Sequence, residues 1–209
     1  MTTFPRYSIH RKSFLSSRDS KGRGFLHALC GCDLWEYPSE QVDCARFLLR
    51  NGVQVNLKDH GGRTALHYAA ASGAEDIAKE LILAGADALA SDSTRWTVLH
   101  SAATGKSLGV VELLVESGAD VQATTVAGET VLHTVAEKSR DPCHMIKYLV
   151  GKGSRCDARD SEGHKPGFLL VWGRPGGLET FLRIDEDPFV QDSLGNSIFL
   201  NSLWIDDGW

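Results

Sequence analysis

No stretch of this chain is apolar over anything near the ~18 residues that a membrane-spanning helix requires. A charge excess suited to nucleic acid or anionic lipid is missing as well, since the net charge is −5 and the isoelectric point about 5.9. There is no disulfide framework. The five cysteines, Cys30, Cys32, Cys44, Cys143 and Cys156, are odd in number and irregular in spacing, which fits a reducing compartment. Residues 1–8 hold no apolar core, so no secretory leader is expected, and the chain reads as intracellular, cytoplasmic or nuclear. Nucleophile and phosphate signatures are lacking: there is no G-x-S-x-G, no H-E-x-x-H and no P-loop. Gly173-Arg174-Pro175-Gly176-Gly177 is rich in glycine but has no strand context and reads as a surface turn. Cys30-Gly31-Cys32, with His27 nearby, has no second ligand pair to complete a zinc site. The acidic run Asp185-Glu186-Asp187 reads as a solvated loop. The expectation is therefore no enzyme, no cofactor and no metal.

What the chain does have is a recurring pattern. Thr64-Ala65-Leu66-His67, Thr97-Val98-Leu99-His100 and Thr130-Val131-Leu132-His133 all read Thr-x-Leu-His, and their histidines lie 33 residues apart. Small residues follow each copy (Ala69-Ala70-Ala71, Ala102-Ala103, Val135-Ala136), and an aliphatic run closed by glycine comes later, ending at Gly85 or Gly118. Asp59-His60-Gly61-Gly62-Arg63 supplies a turn, Thr64 an N-cap and Ala65 to Ala71 a short helix. Ser72-Gly73 breaks that helix, and Glu75 to Leu83 forms a second one with Ile77, Leu81 and Ile82 on its apolar face. Gly85 then ends the unit.

The pattern resembles the ankyrin repeat, whose signature is Thr-Pro-Leu-His with Ala-Ala, then a second helix ending in Gly-Ala-Asp. The resemblance implies an all-α ankyrin-repeat solenoid of stacked helix-turn-helix units with hairpin-like tips, serving as a scaffold that binds other proteins. In the family the repeated histidine ties one repeat to the next through backbone groups, so His27, His67, His100 and His133 are expected to be structural. Weaker copies extend the register outward, from Asp19 to His27 and again from Asp160 to Phe168. The boundaries are an N-terminal basic arm or capping segment at 1–18, then repeats at 19–58, 59–91, 92–124, 125–159 and 160–191, with a partial one at 192–209. The first repeat carries an insertion near Leu34 to Pro38, and the fourth a shorter one near Arg140 to Pro142.

Binding in such stacks uses the tips and the concave face of the first helices, with aromatic and arginine anchors inside a polar rim. The residues expected to project from the tips are Arg23, Arg63, Trp96, Glu129 and His164, with Trp96 either an exposed anchor for a partner or packed locally over Arg95 or a neighbouring tip. Arg95 stands where the other repeats keep Gly22, Gly62, Gly128 and Gly163, a position that usually takes positive φ. Arg23, Arg63, Arg95 and Trp96 thus form a basic, aromatic stripe that turns acidic at Glu129, Glu137 and Glu162. The expected partner is another protein with an acidic, apolar segment lying against the first three repeats; no nucleic acid and no membrane are expected. Trp35 and Tyr37 in the first insertion, and Trp172, Trp204 and Trp209, form a second aromatic group, of which Trp204 and Trp209 are expected to cap the end of the stack, or else to continue into a further domain or a dimer contact. Two other readings stand beside this one: a solenoid whose insertions shape a small-molecule or catalytic pocket, and the recruiting domain of a larger multidomain protein. The oligomeric state stays open.

Overall fold

The computed structural model describes residues 15–31, 38–105, 107–139, 142–172 and 183. Residues 1–14, Cys32, Trp35, Tyr37, Gly173 to Gly177, Asp185 to Asp187, Trp204, Trp209 and the partial repeat 192–209 lie outside them. The described residues form nine helices: α1 (Phe25–Cys30), α2 (Pro38–Arg50), α3 (Ala65–Ser72), α4 (Glu75–Leu83), α5 (Val98–Thr104), α6 (Leu108–Glu116), α7 (Val131–Lys138), α8 (Pro142–Gly151) and α9 (Pro166–Trp172). The odd-numbered helices pack in sequence as one row, α1 on α3 on α5 on α7 on α9, and the even-numbered helices as a second row, α2 on α4 on α6 on α8. Consecutive helical pairs are therefore neighbours in space, as a solenoid requires.

Composition separates the rows. The first-row helices are short and bury alanine and single leucines: Leu66, Ala69 and Ala70 in α3, Leu99, Ala102 and Ala103 in α5. Small side chains let backbones approach, and Gly105 shows how closely, because a Cβ there would lie 2.7 Å from the Ala70 carbonyl oxygen of the preceding repeat. The second-row helices carry larger aliphatics inward, Ile77 and Leu81 in α4, Val110, Val111 and Leu114 in α6, Met145, Ile146 and Leu149 in α8, and all of these are buried. One continuous apolar core runs between the rows from Leu26 to Leu170. Glu75 reaches across to the first turn of α6, where Gly109 leaves the space its carboxylate occupies.

The tips are hairpin-like. Antiparallel bridges pair Ser91 with Thr97 and Thr124 with Thr130. In four turns an aspartate, Asp19, Asp59, Asp92 or Asp160, uses Oδ1 to accept two backbone N–H groups, two and four residues on. Thr125 takes the same place in the fourth repeat, its hydroxyl accepting from Ala127 and Glu129. Adjacent tips are joined by single backbone bonds, His60 N–H to the Lys21 carbonyl, Ser93 to Gly61, Val126 to Thr94 and Ser161 to Ala127, at 2.8–3.0 Å.

Candidate docking surface on the tips and first helices

Each repeated histidine is held at both ring nitrogens. Nδ1 accepts the backbone N–H three residues upstream, from Gly24, Thr64, Thr97 and Thr130 in turn, at 3.1–3.3 Å. A backbone N–H can only donate, so Nδ1 carries no proton and Nε2 does. Nε2–H then donates to a carbonyl of the next repeat: His27 to Arg63 at 3.0 Å, His67 to Trp96 at 3.3 Å, His100 to Glu129 at 3.2 Å and His133 to His164 at 3.0 Å. The acceptors are the very tip residues singled out in the sequence. With both nitrogens engaged and the rings buried, these histidines are structural ties. Burial pushes the His67 and His100 imidazoles down to about 4 and lowers that of His133, against a smaller upward pull from the carbonyls they bond. In the fifth repeat Phe168 takes the histidine's place, buried, and His164 stacks on it at 4.7 Å.

The basic stripe is largely neutralised within the fold. Arg23 bonds Asp19 at 2.7 Å in its own turn and holds that carboxyl down at about 2. Arg63 reaches Asp92 of the next tip at 3.1 Å, tying repeats together much as the histidines do. Burial works against the charge on Asp92, but bonds from Thr94 and Arg63 outweigh it and its pKa is lowered. Asp59 behaves alike: burial opposes its charge, and bonds from the Tyr68 hydroxyl and the Arg63 and Gly61 N–H groups win. Arg23 and Arg63 are thus engaged with acids of their own stack.

Arg95 differs. It is exposed, and its φ of +62° makes it the non-glycine residue in the left-handed region among those described. Gly22, Gly62, Gly128 and Gly163 hold the same place with φ of 74–85°, so the expected strain at Arg95 is present. Trp96 does not project freely as its tip position implied. It is half-buried, its Nε1–H donating to Ser101 Oγ at 3.0 Å and its ring tilted against His100 at 5.3 Å. Lys138 of α7, one repeat on, places its ammonium 4.9 Å from the indole centroid. The physical reason is local: Ser101, one residue past the repeated histidine, offers an acceptor under the indole, and partial burial is worth more than full exposure of a large apolar ring. Glu129 is also half-buried, with the Thr125 hydroxyl 3.4 Å from its carboxylate.

Lys138 went unnoticed in the sequence although the register placed it. It lies five residues after His133, as Ser72 follows His67 and Gly105 follows His100, and only in this copy is the position a long cation. Of the proposed anchors, the structure joins Trp96 to Lys138, leaves Arg95 exposed beside Trp96 in the chain, and sets Arg23, Arg63 and Glu129 into separate local pairings.

Pocket chemistry has less support. A cavity of about 530 Å³ opens at the first end of the stack among Leu15, Arg18, Leu26, His27, Asn51, Val53 and Leu57, with no lining from Gly31 or 38–40. Of its polar groups, the His27 nitrogens are engaged by Gly24 and Arg63 and the Asn51 amide N–H by the Phe47 carbonyl. The Cys30 thiol is buried and pushed up to about 12, so it is no ready nucleophile or ligand. Among the described residues no three His, Cys, Asp or Glu side chains gather as a metal site, and no helix is long and apolar enough to cross a membrane.

Comparison with known families agrees with this geometry. A family model described as ankyrin repeats in three copies matches residues 15–92 and 34–125, together more than half of the chain. Members of that family generally act as protein–protein interaction modules. The matched sequence, the paired helical rows and the histidine ties at each junction make this chain a member of the ankyrin repeat family.

Proposed function

We propose that this chain is a non-enzymatic interaction module that holds another protein along its tips and first-helix face, with Trp96 at the centre of the contact. The observation that carries the reading is the pairing of a strained, exposed Arg95 with a half-buried tryptophan on the same tip. Left-handed backbone at a side chain other than glycine costs stability, and such positions concentrate where a side chain is kept for use. A rigid indole flanked by cations is a strong anchor for a partner segment that is acidic and apolar.

Affinity capture from the native cell with wild type and Trp96→Ala side by side tests this. The captured partner should be lost or weakened by about 2 kcal/mol or more with Trp96→Ala, and Arg95→Ala should lower its association rate. A partner retained equally by both variants removes the reading. Arg63→Ala is the less informative change, because freeing Asp92 also loosens a tip junction.

A further inference from the structure

Lys138 is a first-helix residue that neither the repeat pattern nor the tip sequence accounts for. We infer that Lys138, over the Trp96 indole, and the exposed Arg95, next to Trp96 in the chain, are two anion anchors of one surface, and that this surface takes a peptide segment of another protein in which a carboxylate adjoins an aliphatic or aromatic side chain. The inference rests on the interaction-module reading and deepens it by assigning Lys138 as a second cation of the site.

Charge complementarity carries it. Of the stripe's cations, Arg23 and Arg63 already face Asp19 and Asp92 at 2.7 and 3.1 Å. Lys138, with 41% of its side chain exposed, lies over Trp96 at 4.9 Å and, among the described residues, has its ion pair with the exposed Glu137 beside it, at 3.1 Å. An ammonium shared between a π face and a solvated carboxylate is held loosely, since exposed ion pairs are weak. A carboxylate arriving from a partner gains from both anchors, while its neighbouring apolar side chain covers the part of the indole still open to water. A basic segment meets Arg95 and Lys138 as repulsion.

The test pans the purified full chain against a phage-displayed library of random peptides and measures enriched peptides by fluorescence anisotropy. The expected sequences place Asp or Glu next to an aliphatic or aromatic residue. Their affinity should fall about tenfold or more with Lys138→Glu and recover with Lys138→Arg. Lys147→Glu, the same charge change on an exposed residue of α8, should leave affinity unaltered. Acidic–apolar peptides that bind Lys138→Glu as tightly as wild type overturn the role of Lys138 and leave the module reading standing. Enrichment of basic or uncharged peptides overturns the ligand class, and the lack of any peptide that depends on Trp96 removes the module reading as well.

Discussion

At the scale of single residues, two positions carry a cost that a substitution should recover. Arg95 adopts the left-handed backbone that four other tips assign to glycine. Replacing it with glycine removes a steric penalty of about 1 kcal/mol, partly offset by the added freedom of the unfolded chain. Arg95→Gly should therefore raise the urea midpoint, whereas Arg95→Ala, which keeps a Cβ, should not; equal midpoints for the two would argue against backbone strain. Thr134 is the second position. Its hydroxyl is buried and meets no partner among the described residues. Thr134→Val keeps the shape and deletes the stranded polar atom, so thermal melts should show a gain of about 1 kcal/mol. The sequence made Arg95 visible, because a missing glycine stands out against four kept ones. Thr134 was invisible, because a threonine on a first helix has no signature until its neighbours are in place. Trp96 lay between these cases: its tip position was legible, but its folding back depends on Ser101 and Lys138, which one repeat alone does not bring together.

At the scale of elements, the boundaries of α3 and α4 were readable because each local signal agreed with the next: turn glycine, threonine cap, alanine run and closing glycine. The fifth repeat was harder, since Lys165-Pro166-Gly167-Phe168 lacks the threonine and histidine, yet α9 forms, because its opening turn and buried Phe168 and Leu170 preserve the packing that the missing ties would have supported. What composition did not reveal was the spacing between neighbouring first helices. Gly105 closes α5 directly over the end of α3, where an added methyl would meet the Ala70, Ala102 and Ala71 carbonyl oxygens at 2.7, 3.0 and 3.3 Å. Backbone oxygens cannot swing aside as a flexible side chain can. Gly105→Ala should therefore cost about 1–3 kcal/mol, read as a lower urea midpoint. Gly109→Ala is the contrast, since the atoms in its way belong to the flexible Glu75 carboxylate. Its gain in helix propensity, about 1 kcal/mol, is set against a loosened helix-terminus contact of similar size, and near-neutral stability is expected. Comparable losses at both glycines would mean that the first-row spacing is not the constraint.

At the scale of the whole molecule, stability is the sum of junctions, and the junctions share a titratable part. His67, His100 and His133 bridge consecutive repeats as neutral rings, with Nδ1 an acceptor and Nε2 a donor. A second proton on any of them faces a backbone N–H and breaks the tie. Because burial lowers these groups in the folded chain, to about 4 for His67 and His100, the unfolded chain binds protons first as pH falls from the ordinary 6.5. The histidine contribution is thus complete above about 6.5 and is lost as pH drops toward about 4, on the order of 3 kcal/mol each for His67 and His100, with His133 acting in the same direction. Asp19, Asp59, Glu80 and Asp92 are lowered too, but their ordinary values are 3.8–4.5, so their share is lost below that and the windows separate. Unfolding in urea at pH 5.5 should take up about 2–3 protons, and the midpoint should fall steadily from pH 7 to 5. His100→Gln should be less stable at pH 7.5 yet take up about one proton fewer on unfolding, which separates the titration of that ring from mere loss of a contact. A midpoint that stays level between pH 7.5 and 5 would show that the ties are not what couples one repeat to the next, since among the described residues the groups raised in the folded chain have ordinary values of 9.0 or above and cannot offset that loss.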